Sequence, residues 1–439
     1  MSPKKFKAPT GTGDILPNDH DYFTFVKKAV RHRFRQSGFR RIETPIFEET
    51  AAFERALGTD SEIIKREMYS FADPRGRDFS LRPEMTTGVV RAFLEHDLEE
   101  GPLPAELYYF GRCFRFERPQ SRTQREFWQF GCEVLGESDP AIDAQIMYLG
   151  HRVLSDLQVR DECELKVNTF GTTEDRERYI AALENFYAGK ERSLTPEGRE
   201  RLEQKKFLLL LTDPRSDDEK VLAEMAPKIT DYLSPESQEF FDQTLSYLNT
   251  FGIEYTIDPT LIRPLHYYSH TVFEFRIKSS RQKILVGGRY DGLLKKMGAS
   301  KTLGGCGMAA GMGRIMQLMR DLDVKIPKKD TLQIFVAATG PIAKKHALPV
   351  LIKLREAGFH AVGVLGKTSM EEQLTRAQNF KVPYTILMGD LEVKKNEAII
   401  RNMETGRSDT ISADNVIEHM KKLLGKNQDI MRPDEEAKK

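Results

Sequence analysis

Five arginines, Arg112, Arg115, Arg118, Arg122 and Arg125, fall within fourteen residues, with Glu117 as the one acid among them. A guanidinium fixed on a strand holds a phosphate through two parallel N–H donors, and one on a loop reaches a nucleic-acid backbone. The surrounding stretch, residues 108–133, predicts strand, loop, strand. Phe114 and Phe116 alternate with Arg115 and Glu117, Pro119 interrupts the pattern, and a second apolar run covers residues 127–134. Taken alone, the segment is either an anion-binding hairpin or a hairpin with a solvated charged tip.

Two further places carry chemistry. Residues 78–83 predict a short strand that delivers Arg82, Glu84, Thr86 and Thr87 to the mouth of a helix running from Met85 to about His96. A carboxylate there is either a cap favoured by the helix dipole or a ligand for an ammonium group beside hydroxyl donors. Residues 303–318 predict a small-residue strand running into a helix at Arg314, a junction able to floor a nucleotide. It is neither GxGxxG nor a P-loop.

The elements that must position these groups follow a clear order. A helix capped at Asn18 or Asp19 runs to about residue 37, with Tyr22, Phe25, Val26, Ala29, Val30 and Phe34 at helical spacing. Residues 39–45 read as a strand ending at Pro45. A helix over 139–157 and a strand over 162–169 come after the hairpin. Residues 172–252 are rich in Glu, Arg, Lys and Gln and read as a helical insertion. Strands resume at 254–257, 271–277 and 284–292. Beyond a charged linker at 321–330, strands and helices alternate: strands at 332–338, 359–364 and 384–388, helices at 341–357, 369–380 and 415–424, and a hairpin around Gly406. Ser369 and Glu372 have capping-box spacing.

A chain of 439 residues is long enough for two or three domains, and a net charge of +1 gives no global commitment to nucleic acid or membrane. Cys113, Cys132, Cys163 and Cys306 show no CxxC spacing and read as structural thiols of a reducing compartment, with no metal site. No apolar run reaches membrane-spanning length and the polar start has no signal-peptide pattern, so the expectation is a cytoplasmic protein.

Taken in order, these pieces resemble a histidyl-tRNA synthetase, of the class II aminoacyl-tRNA synthetases, over nearly the whole length. Residues 37–50 (SGFRRIETPIFEET) look like the first class II motif, residues 114–120 with 127–136 like the second, and residues 304–319 like the third. Leu81-Arg82-Pro83-Glu84 with Thr86 matches the amino-acid-binding segment. Residues 261–275 and 287–293 (GGRYDGL) match the two histidine-specific motifs.

The resemblance implies an α+β catalytic domain over 1–325, built on an antiparallel sheet with a helical insertion at about 172–252. A small α/β anticodon-binding domain over 331–425 and a polar, disordered tail over 426–439 would follow. It implies a histidine–tRNA ligase that uses ATP, with Mg²⁺ on its phosphates, to activate L-histidine and load tRNA(His), acting as a homodimer through the region of Pro45. Arg115 and Arg263 would be catalytic on opposite sides of the α-phosphate, and Arg314 would bind the outer phosphates. Glu84 and Thr86 would take the α-amino group and Gln129 the carboxylate. Glu133 and Tyr268 would face the imidazole, with Tyr267 lining the same pocket. Gln120 and Arg122 would meet the tRNA acceptor end. Four residues depart from the family pattern. Pro264 and His266 replace Gly and Asp, Met85 replaces Gly, and Gly313 replaces an acid preceding Arg314. They leave a second reading open, a catalytically weak or silent paralogue that binds histidine or tRNA as a regulator. Such paralogues typically lack the C-terminal domain present here.

Overall fold

The computed structural model describes residues 6–116, 124–262, 267–327, 332–363, 366 and 369–425. The chain divides into two compact units, Met1–Ile326 and Pro327–Lys439. No helix among the described residues is long and apolar enough to cross a membrane.

In the first unit, helix α1 (Pro17–Gln36) starts at Pro17, with Leu16 at the cap and no side-chain cap bond. Asn18 and Asp19 therefore lie inside the first turn and do not cap it. Proline's fixed φ and missing N–H suit that first position. Phe23, Val26, Val30 and Phe34 are buried along one face of α1, each worth roughly 1.5–3 kcal/mol in apolar area removed from water. The strand expected over 39–45 shrinks to β1 (Arg40–Arg41), because the chain then bends so that the Thr44 and Pro45 carbonyls accept from the Arg82 guanidinium at 2.9 and 3.1 Å.

The strands β2 (Phe47–Glu49), β3 (Tyr69–Ala72) and β4 (Asp78–Leu81) form a separate three-stranded sheet in the order β2-β4-β3. Helix α2 (Thr50–Leu57) lies between β2 and β3 in sequence, and α3 (Thr86–Glu95) follows β4. The hairpin of the opening motif is β5 (Ala105–Phe114) and β6 (Glu126–Leu135), followed by α4 (Pro140–Asp156) and β7 (Cys163–Thr169). β5 ends at Phe114, so the alternation read through Phe116 does not continue, and the Phe116 ring is exposed.

The insertion holds α5 (Thr173–Tyr187), α6 (Pro196–Glu203), α7 (Phe207–Thr212), α8 (Asp217–Met225) and α9 (Pro235–Thr250). Thr172, Thr195, Ser216 and Ser234 cap four of them by accepting backbone N–H groups. Phe241 and Leu248 of α9 join the main core, whereas the earlier helices bury Tyr179, Leu183 and Phe207 in a core of their own. The unit is completed by β8 (Thr256–Ile257), β9 (Ser269–Ile277), β10 (Lys283–Arg289), α10 (Asp291–Met297), β11 (Gly305–Gly311) and α11 (Met312–Asp321).

Eight of these strands form one sheet in the order β1-β5-β6-β11-β10-β9-β7-β8. All neighbours are antiparallel except the outermost pairs, β1–β5 and β7–β8. Successive side chains of a strand point to opposite faces. Even-numbered residues of β6, Phe130, Cys132 and Val134, enter the core beneath α1, α4 and α11. The opposite face packs on α2, α3 and α10 through Tyr109, Cys113, Tyr267 and Tyr290, and it is this face that carries the polar groups described below.

The second unit contains β12 (Ile334–Ala338), α12 (Pro341–Glu356), β13 (Ala361–Gly363), α13 (Met370–Asn379), β14 (Tyr384–Met388), α14 (Asp390–Lys394), β15 (Glu397–Asn402), β16 (Ser408–Ser412) and α15 (Val416–Leu424). Its sheet runs β13-β12-β14-β15-β16, parallel about β12 and antiparallel beyond β14. Ser369 and Glu372 form the reciprocal capping box read from their spacing. The tail expected to be disordered lies outside the described residues. The molecule is thus an α+β unit on a largely antiparallel sheet followed by a small α/β unit.

Candidate active site

The register of β6 sets out the site. Glu133 stands opposite Leu107 of β5 and Gly307 of β11, and a Cβ at 307 would overlap its carboxylate. Glu133 is 1% exposed. It accepts from the Thr86 hydroxyl at 2.8 Å, from the Tyr109 hydroxyl at 2.9 Å and from the Tyr290 hydroxyl. None of these donors is a cation. Burial pushes the Glu133 carboxyl up to about 7, against the downward pull of its hydroxyl partners. Burial and the Glu133 charge together push the Tyr109 and Tyr290 phenols well up, which keeps both as donors.

Glu84 ends the turn before α3. Its two carboxylate oxygens accept from the backbone N–H of Thr86 at 2.6 Å and of Thr87 at 3.0 Å. The cap reading of Glu84 is therefore correct as geometry, and one bond per oxygen leaves lone pairs on both for a ligand. Thr86 links the two carboxylates, its N–H to Glu84 and its hydroxyl to Glu133.

Among the described members of the five clustered arginines, Arg115 is the one whose side chain bonds to this segment. Its Nε donates to the Pro83 carbonyl at 2.8 Å, and its guanidinium lies 5.7 Å from the Phe127 ring centroid. Arg112 instead pairs with Glu126 at 2.6 Å over the Trp128 ring, and Arg125 covers Phe116. Arg118 and Arg122 lie outside the described residues, with Gln120. Arg82 is buried with its Nη2 over Gly111, and its Nε donates to the Arg112 carbonyl at 2.7 Å, so tying its segment to β5.

Gln129 is half-buried on the same face of β6, flanked by Gly111 of β5 and Gly311 of β11. Its Oε1 accepts from the Cys113 thiol at 3.1 Å. Tyr267 is buried and Tyr268 half-buried, with ring centroids 4.7 Å apart, and Tyr267 meets Tyr290 edge-on at 5.8 Å. These rings join Glu133 through Tyr290.

A family model described as histidyl-tRNA synthetase matches residues 11–315, and one described as anticodon binding domain matches residues 333–423. This chain belongs to the histidyl-tRNA synthetase family. The histidine–tRNA ligase of Halothermothrix orenii is 37% identical over 421 residues, covering 95% of this chain and 99% of that protein. The crystal structure of apo S. aureus histidyl-tRNA synthetase superimposes with a TM-score of 0.77 at 30% identity, covering 95% of this chain and 100% of that one. A Bacillus halodurans structure described as an ATP phosphoribosyltransferase regulatory subunit/histidyl-tRNA synthetase reaches a TM-score of 0.62 at 19% identity, over 88% and 99% of the two chains. At that identity the likeness speaks to the fold alone.

Within this synthetase family the departures in sequence acquire a structural setting. Met85 is buried and turns its thioether onto Gly111, where an added Cβ would lie 2.8 Å from the Met85 sulfur. The larger residue thus fills space over a glycine of the neighbouring strand. Arg314 is exposed in the first turn of α11 and donates to the Lys283 carbonyl at 2.9 Å, so a backbone oxygen of β10 holds the guanidinium. Arg263, Pro264 and His266 lie outside the described residues.

Sequence reading passed over three residues that shape this candidate site. Tyr109 and Tyr290 complete the shell of Glu133. Tyr290 sat unassigned in the GGRYDGL run, and Tyr109 was one aromatic among several on a strand. The third is Arg289, fully buried, whose Nε and Nη2 reach Asp143 Oδ1 at 2.9 and 2.5 Å and whose Nη1 reaches Asp291 at 2.9 Å. Burial works against the Arg289 charge, yet Asp143 and Asp291 outweigh it and raise its pKa. This knot anchors the β10–α10 corner that presents Tyr290.

Proposed function

We propose that this chain is a histidine–tRNA ligase of the cytoplasm, acting as a homodimer on L-histidine, ATP and tRNA(His). In the first step a carboxylate oxygen of histidine attacks the α-phosphorus of ATP and pyrophosphate leaves. In the second, a terminal hydroxyl of the tRNA attacks the carbonyl of the adenylate and AMP leaves. Both steps rest on holding anions in line and neutralising charge on the phosphoryl oxygens.

Arg115, its plane fixed through the Pro83 carbonyl, is assigned to one side of the α-phosphate and Arg263 to the other. Arg314 is assigned to the outer phosphates, where Mg²⁺ enters as part of the ATP substrate. Glu84 and Thr86 take the α-ammonium group, Gln129 the carboxylate, and Glu133 with Tyr268 the imidazole, against Tyr267. Gln120 and Arg122 are assigned to the acceptor end, and residues 331–425 to the anticodon. Residues 1–325 form the catalytic domain in this reading, with its insertion at about 172–252. The homodimer finds support in the exposed aromatic face of the β2-β4-β3 sheet, where the Phe47 and Phe71 rings are exposed and 5.9 Å apart. Sedimentation showing only monomer at micromolar concentration would refute it.

The observation that carries the function is Glu133, a buried carboxylate supplied by three hydroxyl donors and no cation among them. Such a group accepts an N–H from a ligand, and an imidazole presents one. An amino acid without that donor leaves the carboxylate unpaired and is rejected. ATP–pyrophosphate exchange with each amino acid in turn tests this, with exchange expected for histidine alone. Histidine binding without exchange would instead favour the silent regulator, the reading to which Pro264 and His266 point.

A further inference from the structure

We infer that Cys113 is a positioning residue for amino-acid recognition: its thiol fixes the Gln129 carboxamide with the amide nitrogen turned toward the ligand's carboxylate. The inference rests on the assignment of Gln129 proposed above.

The geometry comes from the β5–β6 register. Tyr109 pairs with Gly131, and Cys113 pairs with Phe127. Each donates not to its own partner but two residues further along β6. Tyr109 reaches Glu133 at 2.9 Å, and Cys113 reaches Gln129 at 3.1 Å. The same diagonal step therefore equips both polar side chains of β6 on this face with a donor from β5. Gly111 and Gly311 lie opposite it on the two adjoining strands; the Arg82 guanidinium and the Met85 thioether fill the space over Gly111, but among the described residues nothing lies over Gly311, which leaves the carboxamide room on that side. The carboxamide would otherwise be able to turn over.

Direction matters because the two ends of a carboxamide are chemically opposite. With Oε1 held by the thiol, Nε2 is the end left for a carboxylate, to which it donates. Turned over, Oε1 would confront the carboxylate, acceptor against acceptor. The thiol suits the task. Cys113 is fully buried, and burial pushes it up to about 12 despite Arg82 and Arg115 nearby, so it keeps its proton as a donor at neutral pH. A buried thiol also packs as a small apolar group, and Cys113 belongs to the apolar cluster with Met85 and Tyr109.

The test uses the full-length chain and two ligands, L-histidine and L-histidinol, which carries an alcohol in place of the carboxylate. Cys113→Ala should weaken histidine binding roughly three- to ten-fold, the range for loss of one modest hydrogen bond. It should leave histidinol binding unchanged, and the exchange KM for histidine should rise more than kcat falls. Cys113→Ser, which keeps a donor, should recover part of the loss, and Cys113→Val, which keeps the volume without a donor, should not. Equal weakening of both ligands in Cys113→Ala, or a Cys113→Val variant that binds histidine like the wild type, would overturn the inference. A wild-type chain that binds histidinol but not histidine would overturn the placement of the carboxylate at Gln129, and Cys113's role with it. A wild-type chain that binds neither would overturn the reading of the whole site, a result separable from both.

Discussion

Glu133 of β6 and Asp143 of α4 are both buried carboxylates, and they are treated in opposite ways. Asp143 meets a buried guanidinium, with Arg289 donating twice to one oxygen and bracing itself on Asp291. Glu133 meets three hydroxyls. A buried ion pair neutralises its own charge, and removing one partner leaves an uncompensated charge. A carboxylate held by neutral donors is positioned but not neutralised, which is what a site for an N–H donor requires. In the proposed reading the difference separates a strut from a receptor, although both residues are equally hidden from water.

Four measurements would break or sharpen that contrast. The largest effect is expected for Arg289→Met, which should lower unfolding stability by about 3–5 kcal/mol. Adding Asp143→Asn should restore part of the loss. A urea titration showing less than about 1 kcal/mol for the single variant would mean that the knot is not a strut. Next is Glu133→Gln. Histidine-dependent pyrophosphate exchange should fall by about two to three orders of magnitude in kcat/KM, in keeping with sites that read a specific N–H. Melting temperature should not fall, because no cation is left behind; a destabilised Glu133→Gln would place Glu133 with Asp143.

The third concerns pH. The Glu133 pKa is raised from 4.5 to about 7 in the folded chain. Its contribution to stability is therefore fully present below about 4.5 and is lost as pH rises through about 7. Over that window the ligand-free wild type should lose up to about 3 kcal/mol relative to Glu133→Gln, measurable as diverging unfolding midpoints at pH 5 and pH 8. Parallel midpoints would show that the three hydroxyls satisfy the charge by themselves. The smallest effect is expected for Tyr290→Phe, which removes one donor. Histidine affinity should fall about ten-fold, with a stability change near 1 kcal/mol, and calorimetric binding unchanged within two-fold would exclude Tyr290 from the shell.

Much of the fold was legible because local chemistry and tertiary structure agree. The Ser369–Glu372 capping box, the α4 start at Asp139-Pro140 and the β14 strand were read from spacing alone and have the geometry expected. The short strands β2 and β3 escaped notice, since three or four residues carry too little periodicity to register, and so did the eight-residue helix α2, barely two turns long. In the site, Glu84 and Gln129 could be singled out through motifs, but their partners could not. Asp143 and Arg289 are 146 residues apart, and Tyr290 is 157 from Glu133. Only the sheet order and the packing of α4 on the sheet bring them together, and no spacing rule encodes either. The pattern was misleading at Phe116, where alternation continued in sequence after the ladder had ended at Phe114.

The glycine facing Glu133 across the β6–β11 ladder limits how this pocket can change over time. Position 307 has no room for any side chain: an added Cβ would overlap the Glu133 carboxylate and lie 2.7 Å from the Cys132 backbone carbonyl. A lineage, or a directed-evolution campaign, that enlarges 307 collides with both, and shortening residue 133 relieves only the first collision. In the proposed reading the pocket floor is therefore fixed by backbone as well as by side chain, which leaves the walls, Tyr267 and Tyr268 among them, as the surfaces where gradual adaptation remains open.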